Sequence, residues 1–195
     1  SALNFDWRSV GNGAYLQKVS DARGRTVLAL SYEGQQTRLT LQPDTPSQVV
    51  MSFHRVSGQL RRVTVDGLPD SGWQFEYSRS DSGLLLLSKC TQPTGSTEEV
   101  TYSEANGLAL PPGAPFARMP VVSQTRKDPG DGQTVQLVRY DYGLYGSNNY
   151  FGWPAVRQWR NREDNLYHLT GAGDFLYGST ETLMDARGTV LQTVS

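Results

Sequence analysis

Two histidines, one cysteine and a few adjacent carboxylates are the side chains of this 195-residue chain best suited to chemistry. His54 and His168 stand far apart, and neither has the close spacing of paired metal ligands, so each reads as a strand histidine. A single cysteine, Cys90, excludes an internal disulfide framework. It follows the apolar run Leu84 to Leu87, a setting in which a thiol behaves as a small hydrophobe. The carboxylate pairs are Glu98-Glu99, Glu163-Asp164, and Asp128 with Asp131. Glycoside hydrolysis needs two carboxyls about 5–9.5 Å apart across a sugar. Neighbours on a strand point to opposite faces, which counts against Glu98 with Glu99, and the other pairs read as solvated turn charges. Phosphate-binding loops, the dinucleotide fingerprint, the nucleophile elbow and the zinc-helix motif are all missing. Asp128-Pro129-Gly130-Asp131-Gly132 lacks the alternating oxygen ligands of a calcium loop and reads as a hairpin turn. The expectation is a non-enzyme, with no catalytic, metal-binding or cofactor-binding set and no cofactor.

One cluster points elsewhere. Tyr140, Tyr142, Tyr145, Tyr150, Phe151, Trp153, Trp159 and Tyr167 crowd one stretch of the chain. Exposed in a row, such rings would stack on sugars, with Tyr150, Trp153 and Trp159 as the candidate platform of a carbohydrate-binding β module. The competing reading is cross-strand packing, in which each aromatic pair adds about 0.5–1.5 kcal/mol. A net charge of −1 with no basic stripe argues against nucleic acid as a partner. No apolar run approaches the ~18 residues of a membrane-spanning helix.

The elements that must position these residues are strands. The chain has 20 glycines and 10 prolines, residues that disfavour helix interiors, alongside 10 tyrosines, 6 phenylalanines and 4 tryptophans, which suit a pleated surface. Polar and apolar residues alternate with period two over Thr37–Gln42, Gln59–Asp66, Trp73–Tyr77 and Thr134–Tyr142. Leu84–Leu87 is continuously apolar and reads as a strand covered on both faces. Turn signals separate the strands: Gly11-Asn12-Gly13, Arg23-Gly24, Ser57-Gly58, Asp66-Gly67, Ser82-Gly83, Thr94-Gly95, Asn106-Gly107 and Pro129 to Gly132. Pro111, Pro112, Pro115 and Pro120 read as an extended crossing that cannot be a central strand, with 109–120 as the candidate domain break. Helical spacing occurs only over Ala155–Asn165, after Pro154. The predicted fold is therefore all-β: a mostly antiparallel sheet of ten or more strands, with at most one short helix.

Internal repetition gives this sheet a family resemblance. Phe53, Tyr77 and Tyr102 each precede a glycine and a leucine by a few residues and recur at intervals of about 25. Asp21-Ala22-Arg23-Gly24 and Asp185-Ala186-Arg187-Gly188 are identical tetrapeptides, each leading into an apolar strand, and Tyr140-Asp141 is a tyrosine-aspartate pair. Pro93-Thr94-Gly95 with Tyr102, and the segment from Asn148 to Thr182, add to the pattern. These features resemble the bacterial RHS or YD-repeat family, which includes the B and C components of insecticidal toxin complexes. Gly83 and Gly107 lack the arginine that usually follows, and Phe53 stands where a tyrosine is usual. The resemblance implies a structural segment of a β-shell, secreted or cell-surface as part of a larger bacterial protein. It also implies two kinds of partner: further repeats of the same polypeptide and an enclosed toxin domain. The family's self-cleavage motif pairs two Asp-Pro-x-Gly units, and only Asp128 to Gly132 approaches one, so cleavage is not carried over. On this reading residues 1–195 are one β-repeat segment of a longer protein. Its last strand, Thr189–Val194, carries no charge and no proline, and should associate through its edge.

Overall fold

The computed structural model describes residues 2–68, 72–142, 158–165 and 178–194. They form thirteen strands in one antiparallel sheet whose spatial order is the sequence order. The strands are β1 (Leu3–Val10), β2 (Gly13–Asp21), β3 (Thr26–Glu33), β4 (Gln36–Leu41), β5 (Val49–Val56), β6 (Gln59–Val65) and β7 (Trp73–Arg79). They continue with β8 (Leu85–Thr91), β9 (Thr97–Ala109), β10 (Arg118–Asp128), β11 (Gln136–Tyr142), β12 (Ser179–Met184) and β13 (Val190–Val194). The all-β expectation holds, and no helix occurs among the described residues. None is therefore long and apolar enough to cross a membrane. By contacts the chain divides into two compact units, Ser1–Glu76 with Thr91–Thr94, and Tyr77–Cys90 with Gly95–Ser195.

In the first unit, register sorts side chains into two unlike faces, because directly opposed residues share a face. One face carries the rows Val19-Leu28-Leu41-Val49, Leu30-Leu39-Met51-Val65 and Tyr32-Thr37-Phe53-Val63-Trp73. The other carries Ser31-Arg38-Ser52-Thr64 and Glu33-Gln36-His54-Arg62-Gln74, with Ala29-Thr40-Val50 beside them. Period-two patterning has thus been converted into an apolar and a polar face. The strand pairs in closest contact are sheet neighbours. Among the described residues the buried apolar side chains are Val19, Val50, Val63, Val121 and Met184, and no large side chain is fully buried. The core is the thickness of one sheet.

The repeated tetrapeptide folds the same way twice. In the β2–β3 turn the Asp21 carboxylate accepts hydrogen bonds from the Arg23 and Arg25 amides at 2.9 and 3.0 Å. In the β12–β13 turn Asp185 accepts from the Arg187 and Thr189 amides at 2.9 and 2.8 Å. The glycine closes each turn by donating to the carbonyl of its aspartate, with φ of 80° at Gly24 and 83° at Gly188. Only the first turn adds an ion pair, Arg25 to Asp21 at 2.7 Å, because the fifth residue of the second is Thr189. The β7–β8 turn reuses the frame with a serine: the Gly83 amide donates to the Ser80 carbonyl and the Leu84 amide to Ser80 Oγ.

Four readings need correction in the second unit. Asn106-Gly107 is no turn, since both residues lie within β9. Four residues of β9, Glu104 to Gly107, face the single residue Pro120 of β10, between the pairs Ser103-Val121 and Leu108-Met119. This wide bulge brings backbones together: a Cβ on Gly107 would lie 2.3 Å from the Met119 carbonyl oxygen. Pro120 sits inside β10, where the bulge removes the need for its missing amide. The proline stretch before it is the loop of the β9–β10 hairpin, closed by the Leu110 amide on the Ala117 carbonyl at 2.9 Å. The strand begun by Leu85 is not covered on both faces, for Leu85 and Leu87 are 42% and 38% exposed.

The helix expected over 155–165 is not formed where the chain is described, at 158–165. Arg162 has φ of 65°, outside the helical region. Asn165 closes the segment as a turn: its Oδ1 accepts from the Arg160 amide at 2.8 Å, and its Nδ2 donates to the Arg160 and Glu163 carbonyls.

Candidate functional site

The carboxylates singled out by sequence take structural positions in strands and turns. Glu98 and Glu99 face opposite sides of β9, their neighbours on β10 being Lys127 and Arg126. Glu99 joins a ladder of charges, with Lys89 at 3.0 Å, Arg126 at 4.0 Å, and Arg126 in turn 3.1 Å from Asp128. Asp128 also accepts from the Gly130 amide at 3.0 Å, which makes it a turn-capping residue. Glu163 lies 3.6 Å from Arg160 in the Asn165 turn. Among the described residues no three histidine, cysteine or acidic side chains gather as a metal would need.

His54 sits on the polar face of the first unit between Gln36 and Arg62. His168 falls outside the described residues, as do Tyr150 and Trp153 of the aromatic cluster and much of the Asn148–Thr182 segment. Trp159 is partly buried, and its amide donates to the Pro112 carbonyl at 2.9 Å, which ties its segment to the β9–β10 loop. Burial pushes the Tyr142 hydroxyl and the Cys90 thiol above their usual pKa ranges, with the Glu98 charge adding to the effect on Cys90. A thiol so shifted is a poor nucleophile, in line with its reading as a small hydrophobe.

Three carboxylates move the other way for structural reasons. Asp21 is held below the usual range first by the Arg25 side chain, and Asp185 first by the Thr189 amide. Glu104, in the β9 bulge, is lowered by Ser82, whose amide donates to Glu104 Oε2 at 3.1 Å. That bond fixes the β7–β8 turn against β9.

Register brings together one group of residues that the sequence leaves scattered. At one end of the first unit Arg8, Tyr15, Tyr32, Thr37 and Arg55, from β1 through β5, line a groove of about 330 Å³ together with Gly34 and Gln36. The two tyrosine rings meet edge to face, with centroids 5.2 Å apart at 67°. The Tyr32 hydroxyl is anchored by donating to the Leu16 carbonyl at 2.8 Å, yet Tyr15 and Tyr32 remain 44% and 41% exposed. Thr37 is 6% exposed, and its hydroxyl is buried with no hydrogen-bond partner among the described residues. An unsatisfied buried hydroxyl costs about 1–3 kcal/mol, so natural folds rarely leave one without reason. Neither guanidinium has an ion-pair partner among the described residues, whereas Arg25, Arg38 and Arg126 are all paired. No sequence motif marks this group, because its members are drawn from five strands.

No family model, no curated protein and no solved structure matches this chain, so its function must be argued from its own geometry.

Proposed function

We propose that this chain is a structural segment of an RHS-like β-shell whose apolar face is turned toward an enclosed polypeptide domain. The observation that carries the reading is the three-row apolar face of the first unit, from Val19 and Leu28 to Val63 and Trp73. An apolar face of this kind belongs against a second layer. Yet Tyr32, Leu41 and Val49 on it are exposed, and the principal strand contacts are those of sheet neighbours. A sheet in strict sequence order also extends by adding hairpins at either edge, which is how repeat architectures grow. The paired Asp-Ala-Arg-Gly turns supply a reusable corner for such growth.

The test is photocrosslinking within a longer polypeptide that carries this segment. A photoreactive residue replaces Met51 or Phe53 on the apolar face, and Ser31 or Arg38 on the polar face. Crosslinks from positions 51 and 53 to a separate domain of the same polypeptide, with none from 31 and 38, support the shell. Crosslinks from the polar face alone contradict it.

A further inference from the structure

We propose that the groove lined by Arg8, Tyr15, Tyr32, Thr37 and Arg55 binds a short uronic-acid oligosaccharide. Arg8 and Arg55 take carboxylates at its two ends, and the tyrosine pair carries a sugar ring between them. The groove lies at the β1–β5 end of the apolar face, because Tyr32 and Thr37 belong to its third row, so it is tested on this chain by itself, where no enclosed domain covers that face; it does not use the Tyr150, Trp153 and Trp159 cluster.

The order of residues across the strands sets the groove. Arg8 on β1 is directly opposite Tyr15 on β2, and Tyr32 on β3 is directly opposite Thr37 on β4. The ring contact of Tyr15 with Tyr32 joins these two pairs, and Arg55 on β5 completes the lining. The groove is thus charged at both ends and aromatic in the middle. Each guanidinium offers a planar fork of donors that matches a carboxylate, and neither is neutralised by an acid among the described residues. The tyrosines present exposed ring surface, which suits the C–H face of a sugar and is of no use to inorganic phosphate or sulfate. A volume of about 330 Å³ lies at the small end of ligand sites, which favours one or two sugar rings over a folded peptide epitope. Successive uronic-acid rings carry one carboxylate each, which matches a cation at each end.

The experiment is isothermal titration calorimetry on the full chain at low ionic strength, with digalacturonate as the probe. Neutral galactobiose and a triglutamate peptide serve as comparisons. Digalacturonate should bind, with affinity falling as salt is raised, and both comparison ligands should bind at least about tenfold more weakly. R8Q and R55Q change exposed side chains, so the sheet should keep its circular dichroism. Each should weaken digalacturonate about tenfold, the loss of one charged hydrogen bond. Thr37→Val keeps the volume of the floor and removes a buried unpartnered hydroxyl, so it should leave both the chain's stability and digalacturonate binding intact. The proposal is overturned if digalacturonate does not bind at millimolar concentration. Equal binding of galactobiose would remove the role of the arginines, and equal binding of triglutamate would remove that of the rings. Unchanged affinity in both R8Q and R55Q would also overturn it.

Discussion

Replacing Gly107 by alanine should destabilise the second unit more than a glycine-to-alanine change in any of its described turns. The new Cβ would stand 2.3 Å from the Met119 carbonyl oxygen and 2.9 Å from that of Glu104, where ordinary contacts begin at 3.4 Å. Both neighbours are backbone, so no side chain can swing aside. β10 must therefore retreat by roughly 1 Å at Met119, given that overpacked sites relax by backbone shifts. That retreat strains the Leu108-Met119 pairing and the 2.8 Å bond from Arg118 Nη1 to the Gly107 carbonyl. Overpacking costs about 1–3 kcal/mol, and each weakened hydrogen bond about 0.5–1.5 kcal/mol. Against this, alanine stiffens the unfolded chain and gives back about 0.4–1 kcal/mol. The clash wins, with a net loss of about 2–3 kcal/mol. In a chain of this size that lowers Tm by roughly 4–12 °C. Urea titration followed by tryptophan fluorescence and circular dichroism measures the loss, and agreement of the two probes tests whether a single transition applies. Gly188→Ala is the control: its Cβ meets open space, and only the φ of 83° opposes it, at about 1 kcal/mol. A Gly107→Ala variant within about 0.5 kcal/mol of the parent, or milder than Gly188→Ala, would refute the bulge argument.

Three further expectations follow from the same structure. Asp185 has a folded pKa below its unfolded value, so the stabilisation its carboxylate gives the β12–β13 turn is present above about pH 3.8 and is lost as pH falls through the folded value. Carbon-detected NMR should place its midpoint below 3.8, and a midpoint at or above that value would contradict the two amide bonds. Cys90 should be alkylated at neutral pH more slowly than a free thiol, because burial raises its pKa; faster labelling would contradict this. β13 is exposed along its whole length and pairs only with β12, so light scattering should grow with concentration and fall in Gln192→Lys, which places a charge on the edge. A concentration-independent monomer would count against an open edge.

The strands singled out by alternation were legible because each carries its own evidence. Alternation over Gln59–Asp66 and Trp73–Tyr77 needs no partner to be read, and β6 and β7 begin where that pattern begins. The aspartate turns were legible too, since Asp21 and Asp185 bond to amides within four residues of themselves. What failed was non-local. Gly107 looks like a turn glycine until β10 is placed beside it, and Pro120 looks like a strand breaker until the bulge gives it a position without a ladder bond. Helical spacing after Pro154 could not foresee Asn165 closing a turn on Arg160. The groove was illegible for a related reason: Arg8 and Arg55 become neighbours of one tyrosine pair only through the register of five strands.

Cryo-electron microscopy of a longer polypeptide carrying this segment tests the shell reading most directly. The account predicts that β1 and β13 each pair with a further strand, and that Leu39, Met51 and Val65 face an enclosed domain on the concave side of a continuous sheet. A sheet that ends at β1 and β13, with that apolar row facing solvent or covered by a layer folded from residues 1–195 themselves, would contradict it.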